Sequence, residues 1–263
     1  MAFPKFCAII TAAGNSSRFN NGAKSVVKKE YLKINEHTVL YNSVAPFLSI
    51  PNIQAIIITA PKESQNECYF ALEEIGERCP VPLIFSEGGE TRQESVNKAL
   101  AMVKSLDLPI EYVAIHDGAR CFITPELIIR ALATAKVYGG CAPAIAVTDS
   151  IKRIDQNGSI SEHLNRDTVV RVQTPQIFHF PEILLAHENA NEDKIYNDDT
   201  EIYSDFELGV GICLGDPKNI KITYLDDIPD AQVQIKKYLE IKNEGESKYI
   251  KDKEFRSYIN KIK

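Results

Sequence analysis

The sequence reads as an α/β protein: a mainly parallel sheet flanked by helices, with one antiparallel β-arm projecting from it. Short apolar runs rich in β-branched residues alternate with longer stretches whose apolar residues recur at helical spacing. Such alternation builds βαβ units and therefore parallel strands. Helix start signals fall where the alternation needs them, and one helix-free segment carries a hairpin turn.

The first run, Cys7–Thr11, follows a lone lysine and leads into a polar loop, which makes it a core strand and a poor secretory signal. Helical spacing over Thr38–Leu48 leads to a strand at Ile53–Ala60. Helical spacing over Glu63–Arg78 leads to one at Pro82–Phe85. Thr91-x-x-Glu94 is a capping box opening a helix that runs to Leu106. After a strand at Tyr112–His116, Thr124-Pro125 sets an N-cap residue before a proline at the first position of a helix, Pro125–Tyr138. The rhythm breaks after the run Ala142–Thr148. From Val147 to Gln173 two strand-like runs, the second being Thr168–Gln173, flank Asp155-Gln156-Asn157-Gly158, and Asn-Gly is a strong hairpin signal. An arm with little core of its own packs on something, and a second copy of the chain is the economical partner. A helix at Pro181–Asn189, strands at Gly211–Leu214 and Asn219–Thr223, and a helix at Pro229–Glu240 follow. The whole is one domain over residues 1–235 with a basic, helical tail over 236–263.

Composition sets the boundaries. With 44% apolar and 25% charged residues among 263, the chain is ordinary for a globular protein and long enough for a large core. No apolar run approaches the roughly 18–20 residues that cross a bilayer. Six scattered cysteines without a CxxC pair point to a reducing cytoplasm rather than a zinc site or disulfide framework. The 30 Lys and Arg against 36 Asp and Glu leave a net charge of −6, and the tail from Lys236 holds nine of the former against five of the latter. The body is therefore distinctly acidic, which argues against nucleic-acid binding.

In open α/β sheets ligands bind at the carboxyl ends of the strands, so the residues just after each strand are the candidates. Thr11-Ala12-Ala13-Gly14-Asn15-Ser16-Ser17-Arg18 follows the first strand. Its small side chains let backbone N–H groups approach phosphates, and Arg18 can clamp an anion, though a plain tight turn would look similar. The loop matches neither GxxxxGK[ST] nor GxGxxG, which disfavours a kinase-type P-loop and a dinucleotide site. Lys28 and Lys29 come next. Gly88-Gly89-Glu90-Thr91-Arg92 opens a helix with Ser95 in its first turn, and a cation there works against the helix dipole unless Arg92 meets an anion or an acidic neighbour. His116-Asp117-Gly118-Ala119-Arg120 places Asp117 to face a metal or ligand hydroxyls and Arg120 to face a phosphate, unless the two form a structural pair. Thr174 and Lys221 supply a hydroxyl and one more cation. These cations at strand ends, without a nucleophile–base pair, suit phosphoryl or nucleotidyl transfer, where positioning and charge neutralisation do most of the catalysis.

The ordered set Ala12-Ala13-Gly14…Arg18, Lys29-Glu30-Tyr31-Leu32, Gly88-Gly89…Arg92…Ser95-Val96, His116-Asp117-x-Ala119-Arg120, Thr148-Asp149-Ser150-Ile151-Lys152, Thr174-Pro175-Gln176-x-Phe178 and Asn219-Ile220-Lys221-x-Thr223 resembles the 2-C-methyl-D-erythritol 4-phosphate cytidylyltransferase family. The resemblance implies a Rossmann-like nucleotidyltransferase domain that joins CTP to methylerythritol phosphate with Mg²⁺, releasing pyrophosphate, in non-mevalonate isoprenoid synthesis. By motif match, Arg18, Lys29 and Lys221 would stabilise the transition state and the phosphates. Ala12, Ala13, Gly14, Gly89, Glu90, Ser95 and Gly118 would hold CTP. Asp117, Arg120 and Thr174 would face the polyol phosphate, with Ser150 and Arg166 reaching it across a homodimer formed through the arm. Mg²⁺ would be held mainly by the CTP phosphates, with Asp117 a possible ligand.

The sequence departs from the family pattern at Ser16, where a second glycine is usual, and at Lys28, where proline is usual; the Tyr31-Leu32 register favours Lys29 over Lys24 or Lys28 as the working cation. Gly118, Cys121 and Ser150 replace alanine, proline and threonine. Alternatives are ribitol 5-phosphate cytidylyltransferase, with the same fold and chemistry, and a nucleotide-sensing module without catalysis.

Overall fold

A computed structural model describes residues 3–20, 27–76, 78–191 and 193–229. In chain order its elements are β1 (Phe6–Thr11), β2 (Lys33–Ile34), β3 (His37–Thr38), α1 (Val39–Val44), β4 (Ile53–Ala60), α2 (Gln65–Ala71), α3 (Glu73–Gly76), β5 (Leu83–Glu87), α4 (Arg92–Ser105), β6 (Tyr112–Asp117), α5 (Pro125–Tyr138), β7 (Gly140–Ala146), β8 (Ile151–Ile154), β9 (Ile160–Leu164), β10 (Val170–Val172), β11 (Gln176–His179), α6 (Phe180–Glu188), α7 (Asp199–Asp205) and β12 (Val210–Leu214).

Eight strands form one sheet in the order β10-β7-β11-β6-β1-β4-β5, with β12 also beside β7. β1 runs parallel to β4 and β6, β4 to β5, and β7 to β12; β10 and β11 run against their neighbours. β1 shows why the central strands are apolar throughout. Phe6, Ala8 and Ile10 pack on one face of the sheet with Leu40 and Val44 of α1, Cys68 of α2 and Ile128 and Leu132 of α5. Cys7 and Ile9 pack on the other with Val96, Leu100 and Val103 of α4 and Ile183 of α6. A strand covered on both sides cannot alternate polar and apolar residues.

The helix signals act as read. Thr91 and Thr124 accept from Glu94 N and Leu127 N at 3.0 and 3.4 Å. The stretch Thr38–Leu48 is α1 followed by a 3₁₀ turn over Ala45–Ser49, because Pro46 has no N–H for the next helical bond. The stretch Glu63–Arg78 is interrupted at Leu72, whose φ and ψ of −118° and 8° leave the helical region.

The arm is shorter than the sequence suggests. β8 and β9 pair antiparallel, away from the main sheet, around a turn in which the Asp155 carboxylate accepts from Asn157 N and Ser159 N at 2.9 Å and Gly158 takes a φ of 81°. Val170–Val172, read as the end of the arm, instead joins the main sheet by pairing with Ala144–Ala146 of β7. Asn219–Thr223 is not a strand: it is held by isolated bonds such as Ile222 N to Ala119 O at 2.8 Å and Asn219 Nδ2 to Thr174 O at 2.9 Å, not by a ladder. β11 and α7 were not anticipated, although Asp198 caps α7 by accepting from Thr200 N and Glu201 N at 3.0 and 3.2 Å. Lys24, the helix placed at Pro229–Glu240 beyond its first residue and the tail from 236 lie outside the described residues.

Ile57 of β4 is fully buried at the sheet centre, whereas Val137 of α5 is 75% exposed. Ile57→Ala is expected to lower the unfolding free energy by about 3 kcal/mol, and Val137→Ala to change it by no more than about 0.5 kcal/mol, in urea denaturation of the two purified variants.

Candidate active site

A cleft of about 320 Å³ opens at the carboxyl ends of β1, β4 and β6. Its floor is the loop after β1. Ala12 is buried and donates its N–H to Thr59 O at 3.0 Å, which anchors the loop to β4. Ala13 and Gly14 line the cleft, and their carbonyls accept from Lys28 Nζ at 3.2 and 2.6 Å. Ser16 takes a φ of 49°, in the left-handed region, which explains why a glycine fits there without strain. Arg18 lies at the rim, exposed.

The loop after β5 forms the opposite wall. Gly88 comes so close to the first loop that a Cβ on it would lie 2.3 Å from Ala13 Cβ, so only glycine lets the loops meet. Gly89 N donates to Ser95 Oγ at 2.9 Å and Glu90 N to Glu94 Oε2 at 2.8 Å, folding the loop onto the start of α4. Gly89, Glu90 and Ser95 line the cleft.

The two lysines of the 28–29 pair separate by role. Lys28 ties down the first loop, whereas Lys29 lines the cleft and is held by Nζ donation to Ile222 O at 2.6 Å. Burial lowers the pKa of both ammonium groups, partly offset by Glu30. Burial raises that of Glu30, against the pull of Lys29. Phe19, Leu32, Val39, Ala119 and Ile222 pack as one small apolar cluster, which brings the Lys29 turn against the segment bearing Lys221.

Asp117, at the end of β6, is the electrostatic centre. Lys221 Nζ lies 3.0 Å and Arg120 Nε 3.2 Å from its Oδ2, and Arg92 Nε 3.7 Å from its Oδ1. Burial pushes its carboxyl pKa up, but Lys221, Arg92 and Arg120 outweigh that and hold it well below the usual carboxylate range. Arg120 also donates to Asn219 O at 2.9 Å and does not line the cleft; it is an Asp–Arg pair of the structural kind.

Thr174 follows β10 and precedes a cis Pro175. It is buried, accepts from Asp117 N at 3.1 Å and lies 2.9 Å from His116 Nδ1. Burial lowers the His116 pKa to about 4, so the ring is neutral. Its Nε2 lies 3.1 Å from Arg120 O, which assigns that nitrogen the proton and leaves Nδ1 to accept from the Thr174 hydroxyl. Asn219 Nδ2 donates to Thr174 O at 2.9 Å and Gln173 Nε2 to Asn219 O at 3.2 Å, so these buried amides set Lys221 beside Asp117. Gly118 is buried behind the cleft, donating to Thr11 O at 2.9 Å. Ser150 and Arg166 stay on the arm, exposed and outside the cleft, with Arg166 donating to Thr148 O at 2.9 Å. Among the residues to which the sequence assigned no substrate role are Glu30, Thr59 and Arg92 in the lining and Asp199 behind it. The signal for the last two was the awkward cation at the start of α4: Arg92 meets Asp199 at 2.7 Å.

A mainly parallel sheet with a cation-lined cleft at its carboxyl end and a backbone-rich loop beside it has the form of a nucleotidyltransferase. Residues 6–237 match the family described as IspD, 2-C-methyl-D-erythritol 4-phosphate cytidylyltransferase. The chain belongs to this family and is a cytidylyltransferase. It is 35% identical over 240 residues to the enzyme of that name from Clostridium tetani, covering 91% of this chain and 94% of that one. It is 36% identical over 232 residues to the one from Caldanaerobacter subterraneus, covering 88% and 98%. It is also similar to the crystal structure of 4-diphosphocytidyl-2C-methyl-D-erythritol synthase from Anaerococcus prevotii, with a TM-score of 0.72, 27% identity and coverage of 90% and 96%.

Asp199 supplies a test of these electrostatics. Burial raises its pKa, but Arg92 and His187 outweigh that and bring it down to about 2, against about 3.9 in an unfolded chain. A depressed carboxyl stabilises the fold above the unfolded value and loses that contribution as pH falls through the folded one. Asp199→Asn is expected to cost about 2 kcal/mol at pH 7. Between pH 4 and 2 the wild type should lose that advantage over the variant, as read by urea denaturation across the acid range.

Proposed function

We propose that this cleft joins CTP to 2-C-methyl-D-erythritol 4-phosphate, giving 4-diphosphocytidyl-2-C-methyl-D-erythritol and pyrophosphate. The observation that carries the reading is the convergence of Arg18, Lys29 and Lys221 on one cleft beside the first loop. A phosphate oxygen of the polyol phosphate attacks the α-phosphorus of CTP; that P–O bond forms while the bond from the α-phosphorus to the bridging oxygen breaks, and pyrophosphate leaves with its electron pair. The triphosphate brings roughly four negative charges and the sugar phosphate nearly two more, inside an acidic protein. Local cations must hold them.

Each group has a part. The N–H groups of the Ala13–Gly14 loop cradle the nucleotide and Gly89 and Glu90 form the facing wall, with Ala12 and Ser95 bracing the two loops and Gly118 behind. Arg18 and Lys29 stabilise the charge that develops on the α-phosphate and the leaving pyrophosphate, and Lys221 takes the phosphate region. Asp117 faces the polyol phosphate, supported by Arg120 and Thr174, both of which act through their bonds to it rather than from the lining. Mg²⁺ neutralises phosphate charge when bound. Among the described residues no group of three His, Cys, Asp or Glu is arranged to hold a metal. One saturated carboxylate, Asp117, therefore fits an ion brought in by the triphosphate better than one caged by protein.

Two features of the arm support a homodimer: Ile154 and Ile160 are 63% and 58% exposed on it, and Ser150 and Arg166 are exposed outside this chain's own cleft, available to another copy. No described helix is long and apolar enough to cross a membrane, and the six cysteines are free thiols, which supports a cytoplasmic site of action.

Pyrophosphate release from CTP and Mg²⁺ is expected with methylerythritol 4-phosphate and not with ribitol 5-phosphate; the reverse preference would reassign the substrate. Arg18→Ala and Lys29→Ala are each expected to lower kcat by about 100-fold or more with the circular dichroism spectrum unchanged, and near-normal turnover in either would remove its assigned role. Light scattering is expected to give twice the 29.4 kDa chain mass, and a monomer would take Arg166 out of any partner's site.

A further inference from the structure

Behind the cleft wall lies a buried acid that the reaction as described leaves unused. Asp199 is fully buried at the first position of α7, and it is held from several sides. Its backbone N–H donates to Gln176 Oε1 at 3.0 Å, and Gln176 Nε2 donates to Asp198 Oδ2 at 2.9 Å, which docks the start of α7 on β11. His187 Nε2 lies 3.2 Å from Asp199 Oδ1. What remains, Oδ2, meets Arg92 NH2 at 2.7 Å.

Arg92 turns its Nε edge toward Asp117 Oδ1 at 3.7 Å. One planar guanidinium thus spans two buried carboxylates, one inside the cleft and one behind it. The three cations around Asp117 are not equivalent. Arg120 is tied to Asn219 O and Arg92 to Asp199, whereas the only ion pair of Lys221 among the described residues is with Asp117 itself. Lys221 is therefore the cation that can leave, provided that the other two keep the carboxylate in place and compensated. A buried carboxylate stripped of its partners is costly.

We propose that Asp199 and Arg92 are positioning residues: Asp199 holds Arg92 on Asp117, so that Lys221 can leave that carboxylate for a substrate phosphate. This rests on the reading of the cleft given above, and it adds two residues that act through Asp117 and Lys221 without touching the reacting atoms.

The test is a double-mutant cycle in the full-length enzyme, with kcat and KM measured for both substrates at a temperature where melting curves show every variant folded. Asp199→Asn and Arg92→Gln are each expected to lower kcat/KM on the order of tenfold or more, with the double variant no worse than the more damaged single. Arg92→Lys, which keeps the charge but cannot span both carboxylates, is expected to recover only part of the loss. A purely structural pair would lower the melting temperature and leave the kinetics of the folded enzyme within about twofold, which would overturn the proposal. So would single losses that multiply in the double variant, or Arg92→Lys equal to wild type, an arm that holds even if Asp199→Asn fails to fold. A wild-type enzyme inactive with both polyol phosphates would overturn the reading of the cleft as well, a failure that the variants alone cannot produce.

Discussion

The Asp117 carboxylate is what the site is built around. It sits at the end of a buried central strand, takes its backbone support from Thr174, and gathers Arg92, Arg120 and Lys221. Each of those cations comes from a different part of the chain: the start of α4, the loop after β6 and the segment after β12. A buried negative charge cannot stand alone, so the loops that deliver its partners must converge. That requirement shapes the cleft wall, and among the described residues it leaves one of the cations, Lys221, without a second ion pair.

The same logic explains an acidic protein that handles polyanions. Net charge acts at long range and is screened, whereas the few cations aimed at one cleft act at contact distance where the field is strongest. Lys28 and Lys29 illustrate the division of labour. Both ammonium groups are half-buried or more, and both are destabilised by that burial. One spends its charge on the carbonyls of the first loop, fixing its shape; the other is held by Ile222 O at the cleft. The polar groups behind the wall do similar work without charge. Asn219, Gln173 and Thr174 are buried amides and hydroxyls whose bonds to backbone keep a non-repetitive segment in register.

The arrangement of the family follows from the local chemistry of its motifs. The Thr-Pro-Gln stretch supports Asp117 through its threonine and α7 through its glutamine. The Asn-Ile-Lys stretch places its lysine because its asparagine is fully buried against Thr174. Both motifs therefore organise residues distant in sequence, and the threonine, the glutamine and the asparagine do so from outside the cleft lining.

The α/β architecture, the helices at Arg92–Ser105 and Pro125–Tyr138, the projecting hairpin and the loops that bear the cleft's cations were legible in the chain itself, because periodicity, capping residues and turn chemistry are local and sum along each element. Arg92 was legible only as an anomaly, a cation at the wrong end of a helix. Its resolution needed Asp199, more than a hundred positions away, and a β11 strand too short to announce itself. The placing of Val170–Val172 in the main sheet, the use of Lys28 to tie down the first loop, and the withdrawal of Arg120 and Thr174 from the cleft lining were likewise decided by tertiary structure. In each case the outcome turned on which buried donor found which acceptor, and that pairing is a property of the packed chain, not of any stretch of it.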